Sequence, residues 1–247
     1  MKRAFRTRGL VLRCTDFSET SQIVRVFTRD QGIIDMLAKG SRRPARSSSA
    51  FSSPFDLASW YDLNYRSRGT DLHLATEARL VEGFDHLRHH LPSWIDASFA
   101  LDLLHNLFSP GDPHPDLLRE VLGYLKLLGY GRGRRRLRNR FLQSVLRESG
   151  VLPCWDRCSE CEEQIQAGAN LRIPFGLVCS SCDTCEATTL LDETTRAYLA
   201  ADCGREWGLV PSWEVPSREV EIAWNLLRSL LLHHLERPPR SLRYLRV

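Results

Sequence analysis

The chain has 247 residues, 43% of them hydrophobic and 26% charged, and its formal net charge is +4. This composition is ordinary for a globular protein of one large or two to three small domains, and it excludes fibrous and low-complexity chains. No apolar run is long enough for a secretory signal or a membrane span, since residues 9–12 stop at Arg13 and residues 223–235 contain Arg228.

Residues 9–79 contain five apolar segments separated by turn-forming pieces, a pattern typical of β-strands. Apolar and polar residues alternate in several of them, as in strands with one face on a core. Five short strands in this length favour a small closed barrel, and the oligonucleotide-binding (OB) barrel has that strand count. We therefore predict an α+β multidomain protein with an N-terminal five-stranded OB-fold β-barrel.

The N-terminal region is strongly basic, because residues 1–50 contain eleven lysines and arginines against four acidic residues, a difference of +7. Arginine binds phosphate with two hydrogen bonds, and a basic groove is how OB barrels hold single strands. Basic side chains on the outer face of the strands are also common on any barrel surface. Trp60, Tyr61 and Tyr65 could stack on nucleic-acid bases or could belong to the barrel core. The predicted nucleic-acid contacts on the barrel and its Ser-rich loop are Arg13, Arg25, Lys39, Arg42, Arg43 and Arg46.

From Val81 onward, apolar residues recur three and four positions apart, which predicts an α-helical body. Its third helix begins with five arginines in residues 134–140. Cations are disfavoured at a helix start and like charges one turn apart repel, so this cluster favours a bound polyanion. A solvated charged face, or ion pairs with a distant acidic segment, would explain it equally well. The predicted contacts here are Arg134, Arg135 and Arg136.

Six of the eight cysteines lie in residues 152–186. Without an export signal we expect a reducing cytoplasm, where disulfides rarely persist and CxxC pairs are metal or redox sites. Two such pairs stand at the spacing of a zinc ribbon, and four thiolates leave no open position for water. We predict a small four-cysteine zinc-binding module with one structural Zn²⁺ per chain, and redox dithiols are the alternative. The predicted ligands are Cys158, Cys161, Cys179 and Cys182.

The choice of ligands has alternatives. Cys182 and Cys185 also form a CxxC, at an equally acceptable spacing from the first pair, and Cys154 is a spare ligand. Glu162 and Asp183 stand where a glycine often follows such pairs.

The sequence contains no HExxH, no G-x-S-x-G and no complete phosphate loop, and its cysteines do not fit the deaminase signature. We therefore predict that the protein is not an enzyme.

A last long helix over residues 217–236 stops at Pro238. Its apolar stripe is too wide to leave in water, so we expect it to pack on the earlier helices. The predicted domains are the barrel (1–80), a helical domain (81–150), the zinc module (151–190) and C-terminal helices packed on the helical domain (191–247).

Three separated segments resemble the RecO family of recombination mediators: GLVLRCTDFSETSQIVRVFTRDQGIIDMLAKGSRRP, LPCWDRCSEC with FGLVCSSC, and HHLERPPRSLRYL. The resemblance runs in order through the whole chain. It implies an OB barrel, a helical body and a four-cysteine zinc module. It also favours Cys179 and Cys182 over Cys185, because the family's second pair follows a Gly-x-x-Cys turn.

The resemblance implies binding to single- and double-stranded DNA and annealing of complementary strands. It implies action with RecR, in some lineages with RecF and single-strand DNA-binding protein, to help the RecA recombinase load. Lys39, Arg42 and Arg43 carry over most directly as DNA contacts, and the expected location is cytoplasmic and nucleoid-associated, with no membrane partner. The alternatives are a protein-interaction scaffold with incidental DNA binding and a zinc-dependent nucleic-acid enzyme.

Overall fold

The computed structural model describes residues 4–43, 50–51, 53–67, 69–129, 133–184 and 189–245. The strands are β1 (Ala4–Ser18), β2 (Ser21–Thr28), β3 (Gly32–Ala38), β4 (Trp60–Arg66), β5 (Leu72–Glu82), β6 (Ala169–Arg172), β7 (Gly176–Val178) and β8 (Thr189–Leu191). The helices are α1 (Leu91–Leu107), α2 (Pro115–Leu128), α3 (Arg134–Glu148), α4 (Glu193–Asp202) and α5 (Ser217–His234). Short 3-10 helices cover Asp85–Leu87, Trp207–Leu209 and Arg240–Tyr244. Within the described ranges, no helix combines the length and the apolar character that a membrane crossing needs.

The first five strands close into a barrel in the order β1-β2-β3-β5-β4, with β4 paired back to β1. All neighbours are antiparallel except β3 and β5. This confirms the five-stranded OB barrel. Alternate side chains fill its interior, among them Val11, Val26, Met36 and Leu63, all at most 1% exposed.

Two of the three aromatic residues considered as stacking candidates belong to this interior. Tyr61 and Tyr65 are buried in the barrel core, and Trp60 is partly exposed on the opposite face of β4. Cys14 packs against the same core, where burial raises the pKa of its thiol to about 12. Tyr61 and Tyr65 are therefore packing residues.

Helices cover part of the outer surface of β1 and β2. Helix α1 contacts β1 and α2 contacts β2. The Phe27 ring stacks on that of Phe108 just after α1, with centroids 6.2 Å apart. Gly32 and Ile33 bridge to Pro110 in the loop between α1 and α2.

The later helices have a core of their own. α3 packs against α5, and α5 also contacts α4. Leu137, Phe141 and Val145 of α3 and Leu227 of α5 are fully buried. A three-stranded sheet in the order β7-β6-β8 lies between α3 and α4 in the sequence.

The chain divides into two compact units, Met1–Gly129 with Pro239–Leu245 and Tyr130–Pro238 with Arg246–Val247. The barrel, α1 and α2 belong to the first unit, and α3, the cysteine pairs, α4 and α5 belong to the second. The four-domain division into 1–80, 81–150, 151–190 and 191–247 is finer and stays a prediction.

Candidate metal centre and nucleic-acid interface

Two turns bring four thiols together in the second unit. Cys179 follows β7 directly, and the backbone N–H and Oγ of Ser159 donate to the carbonyl oxygen of Leu177 at 2.7 and 2.9 Å. These bonds hold the first cysteine pair beside the β6–β7 hairpin. One ligand atom from each of four cysteines lies within 4.8 Å of the others. The four are Cys158, Cys161, Cys179 and Cys182.

The spacing of the sulfur atoms fits a metal ion. The Cys161 and Cys179 Sγ atoms are 3.9 Å apart. In a tetrahedral site with zinc–sulfur bonds of about 2.3 Å, two sulfurs lie roughly 3.8 Å apart. The group can therefore hold a metal ion, and a set of four sulfurs is the donor type that zinc prefers.

The thiols of the group differ in pKa. Burial raises the pKa of the Cys158 thiol, but backbone N–H groups, including that of Cys179 at 3.4 Å, together outweigh it and bring this pKa to about 6. Side-chain hydrogen bonds with the thiols of Cys179 and Cys161 raise the pKa of Cys182 to about 12. A cation bound among the four sulfurs would favour the thiolate form of each.

The alternative ligands are placed differently. Cys154 is exposed and its thiol donates to Asp156 Oδ1 at 2.9 Å, outside the group of four. Cys185 lies outside the described residues. Glu162, one of the two residues in the place of a glycine, adopts the left-handed φ of 61° that favours glycine there.

The cysteine module is tied to the helices of its own unit through Trp155. The buried Trp155 indole donates from Nε1 to Gln143 Oε1 on α3 at 2.8 Å. The backbone carbonyl oxygen of Trp155 accepts a hydrogen bond from Arg196 Nη1 on α4 at 3.1 Å. The module's small apolar set, which includes Leu171 and Leu177, thus gains polar anchors on two helices.

Gln143 also holds a buried acid. Its Nε2 donates to Asp202 Oδ2 at 2.8 Å, and Asp202 is 0% exposed. Burial raises the pKa of Asp202 to about 7, although the charge of Arg140 opposes the shift.

We predict that Asp202→Asn makes stability less dependent on pH. The folded pKa of Asp202 is higher than the ordinary 3.8, so its carboxyl stabilises the fold below about pH 4, and this contribution is lost as pH rises to about 7. The substitution is expected to raise the free energy of unfolding at pH 8 by on the order of 2 kcal/mol, with little change at pH 4. Urea unfolding at both pH values measures this, and an equal effect at both would contradict it.

A basic turn follows β3 at the end of the barrel. Arg42 N–H donates to the carbonyl of Thr20 at 3.1 Å, and Arg42 Nη1 lies 3.0 Å from Asp16 Oδ2, which fixes the turn beside the β1–β2 connection. Lys39 and Arg43 are exposed there. This turn, Lys39 to Arg43, presents three cations to solvent next to each other, and we call it the β3 turn.

The other predicted barrel contacts lie elsewhere. Arg13 is exposed on β1, opposite Arg25 on β2. Arg25 is engaged: its Nε and Nη2 donate to both Asp35 carboxylate oxygens at 2.8 and 2.7 Å, and its Nη1 is 3.0 Å from His105 Nδ1 of α1. Arg46 lies outside the described residues.

The arginines of α3 divide into two groups. Arg138 and Arg140 are 1% and 2% exposed, and their guanidinium carbons lie 4.1 Å above the Trp224 ring and 5.1 Å above the Trp207 ring. Both arginines are therefore interior residues that stack on aromatic rings. They form neither a solvated charged face nor a site for a polyanion.

The three arginines at the start of α3 line a cavity of 280 Å³ together with Val215, Ser217 and Val220. One of them, Arg136, donates to the carbonyls of Val210 and Pro211 at 3.3 and 2.8 Å. The three are Arg134, Arg135 and Arg136.

Three exposed arginines of the barrel were not among the predicted contacts. Arg6 and Arg8 lie on β1 and Arg79 on β5, and all three surround Asp62 of β4. Arg6 and Arg8 stand on either side of Thr7 in the sequence, and this spacing is the signal that could have placed both on one face of a strand.

Comparison with known proteins gives one consistent result. The family described as Recombination protein O N terminal matches residues 1–84, and that described as Recombination protein O C terminal matches residues 88–243. The chain is 30% identical over 247 residues to the DNA repair protein RecO of Anaeromyxobacter sp. (strain K), covering 96% of this chain and 94% of that protein. It is 24% identical over 249 residues to the DNA repair protein RecO of Desulforamulus reducens, covering 98% and 93%. A shorter match to the RecO of Salinibacter ruber is 33% identical over 153 residues, 62% of this chain and 58% of that one.

Proposed function

We propose a function from a premise that the comparisons establish, that the chain belongs to the RecO family of DNA repair proteins. The proposed function is DNA binding through the β3 turn of the basic barrel. The observation that carries the proposal is the exposure of Lys39 and Arg43, with Arg42 between them, on an OB barrel. Lysine and arginine neutralise phosphates and release counterions, so binding depends on backbone charge and little on base sequence.

The proposed activity is annealing of complementary strands, with binding to single- and double-stranded DNA. Two strands repel each other through their phosphates. A basic surface that screens this repulsion lets the bases meet and pair, and it needs no catalytic group. The protein then acts as a mediator without enzymatic turnover.

The proposed partners follow from the family. With RecR, and in some lineages with RecF and single-strand DNA-binding protein, the protein assists loading of the RecA recombinase on DNA. These partners are macromolecular, and a cytoplasmic, nucleoid-associated location goes with them.

We propose that the cysteine group holds one structural zinc ion. Cys158, Cys161, Cys179 and Cys182 would be its ligands, and the ion would neutralise their thiolates. Four protein ligands leave no open position for a reacting water, so the ion stabilises a module whose apolar core is small.

A protein-interaction scaffold with incidental DNA binding is the alternative function, and one observation favours it. A cavity of 580 Å³ beside α1 is lined by Leu91, Trp94, Ile95 and Tyr244, and the first and last of these are exposed. Exposed apolar surface of this kind takes part in protein contacts.

We predict that Lys39→Gln with Arg43→Gln weakens DNA binding. Arg42 is left intact because it pairs with Asp16. Affinity for a single-stranded oligonucleotide is expected to fall roughly ten- to hundredfold at low salt, since a hydrogen bond to a charged group contributes about 1.5 kcal/mol or more. The plot of log affinity against log salt should become shallower by about 0.7 for each cation removed.

The control for this experiment is Arg119→Gln with Lys126→Gln on α2, which removes the same two charges from exposed positions of the same unit. Fluorescence anisotropy over a salt series measures both variants. Equal affinities for the β3-turn variant and the control would show that the turn does not bind DNA, and would favour the scaffold function.

A further inference from the structure

Part of the barrel surface, around Asp62 of β4, carries exposed basic side chains from β1 and β5. OB barrels commonly bind nucleic acid across strands 2 and 3. Here that face meets the helices, because Phe27 stacks on Phe108 and Arg25 contacts His105. Helix α1 contacts β1, and Leu10 and Leu12 of that strand are buried, whereas Arg6 near the start of the strand is 72% exposed.

The register of these three strands places basic side chains in neighbouring rows. Arg8, Asp62 and Arg79 stand side by side across β1, β4 and β5. Arg6, Asn64 and Glu77 form the next row. Since residues two apart on a strand share a face, both rows point outward from the barrel.

One buried carboxylate organises this face. Arg6 donates from Nε to Asp62 Oδ1 at 3.2 Å and from Nη2 to Oδ2 at 2.7 Å, and Arg79 Nη2 lies 3.8 Å from Oδ2. The bonds from Arg6, with the charges of Arg8 and Arg79, lower the pKa of Asp62. Asp62 is only 8% exposed while Arg79 is 75% exposed, so the acid lies beneath its arginines and the cations face the solvent.

A recess of 280 Å³ opens beside this group. It is lined by Arg6, Thr7, Arg8, Arg29, Asp30 and Asp62. Three of its six residues are arginines. In the other row, Glu77 accepts a 2.7 Å hydrogen bond from its neighbour Asn64.

This face is separate from the β3 turn. The β3 turn lies beside Asp16 near the end of β1, and Arg8 lies eight residues earlier on the same strand. At about 3.3 Å per residue, that separation is roughly 25 Å along the strand. A single phosphate cannot contact both surfaces, so the two surfaces would bind different segments of a nucleic-acid backbone.

We propose that the face of Arg6, Arg8, Arg29 and Arg79, positioned by Asp62, is a second binding site for the phosphodiester backbone of single-stranded nucleic acid. The inference rests on the proposed function and deepens it. One barrel then holds two strands at once, one at the β3 turn and one on this face. Annealing becomes a reaction between strands held on the same protein.

The test uses the full-length protein and replaces Arg8→Gln with Arg79→Gln, which leaves the Arg6–Asp62 pair intact. Short oligonucleotides of about 8 nucleotides, within the range that one OB barrel covers, are titrated to count binding sites. The wild-type chain is expected to bind two and the variant one. The variant should anneal longer complementary strands about tenfold more slowly, because the local concentration of the second strand is lost.

The outcomes separate the two proposals. Arg119→Gln with Lys126→Gln is the charge-matched control and should keep both sites and the wild-type annealing rate. If the wild-type protein binds and anneals but the Arg8 and Arg79 variant keeps both sites and the full rate, the second site is refuted and the proposed function stands. If the wild-type protein neither binds nor anneals, the proposed function fails first.

Two further results would also overturn the inference. A folded variant that loses all oligonucleotide binding would make this face the only site. A variant whose oligonucleotide count is unchanged but whose binding of polyglutamate is lost would assign the face to an acidic protein segment. Circular dichroism and thermal unfolding establish that each variant is folded.

Discussion

Cys161→Ser is expected to release the metal ion and to lower the free energy of unfolding of the second unit by at least about 3 kcal/mol. The Cys161 sulfur is exposed and lies 3.9 Å from Cys179, so serine adds no steric conflict there. The loss would come from a missing thiolate, since an alcohol is a poor zinc ligand. Metal analysis of the purified protein should find one zinc ion per chain in the wild type and much less in the variant.

Cys154→Ser is the matched control, because its thiol bonds to Asp156 and lies outside the group of four. It should retain the metal and the wild-type melting temperature. A chelator should shift the melting temperature of the wild type and of Cys154→Ser alike, and should have little effect on Cys161→Ser. A wild-type protein that contains no metal, and whose melting temperature is unmoved by chelator, would refute the structural zinc.

The features that local sequence decides were predictable. The cysteine group depends on two short turns, and the CxxC spacing brings each pair together. Spacing alone left the second pair open, because Cys182 with Cys185 fits equally well, and only the family resemblance favoured Cys179 and Cys182. The barrel strands carry alternation and turn residues that need no knowledge of distant segments. The interior tyrosines Tyr61 and Tyr65 were left undecided, because an aromatic residue in a strand looks the same on either face.

Side chains whose surroundings come from distant segments were not predictable. Arg138 and Arg140 look like a surface cluster because the tryptophans that cover them, Trp224 and Trp207, lie 86 and 67 residues later in the chain. Arg25 alternates like an exposed strand residue, but His105 meets it 80 residues later.

The basic face around Asp62 was not predictable for the same reason, because it too is formed by distant segments of the chain. Its partner Arg6 is 56 residues earlier, and only the pairing of β1 with β4 brings the two side chains together. Charge counted along the sequence therefore shows that the region is basic, but not which arginines share a surface.

Trp224→Ala is expected to lower the free energy of unfolding by about 3–5 kcal/mol, the range for removing a large aromatic side chain from a core. Trp224 is 3% exposed, and the Arg138 guanidinium carbon stacks 4.1 Å above its ring. The substitution would leave a cavity beside a buried cation, and so lose both apolar packing and the attraction between the charge and the ring. Urea unfolding measures the change.

A double-mutant cycle with Arg138→Met isolates the stacking. Trp224→Phe keeps a ring under the cation and should cost less than Trp224→Ala. If the cation and the ring attract each other, Arg138→Met and Trp224→Ala together should destabilise the protein by less than the sum of the two single changes, with a coupling of about 1–2 kcal/mol. Additive single effects would mean that Arg138 is held by its other contacts, and that the tryptophan serves only as apolar volume between α3 and α5.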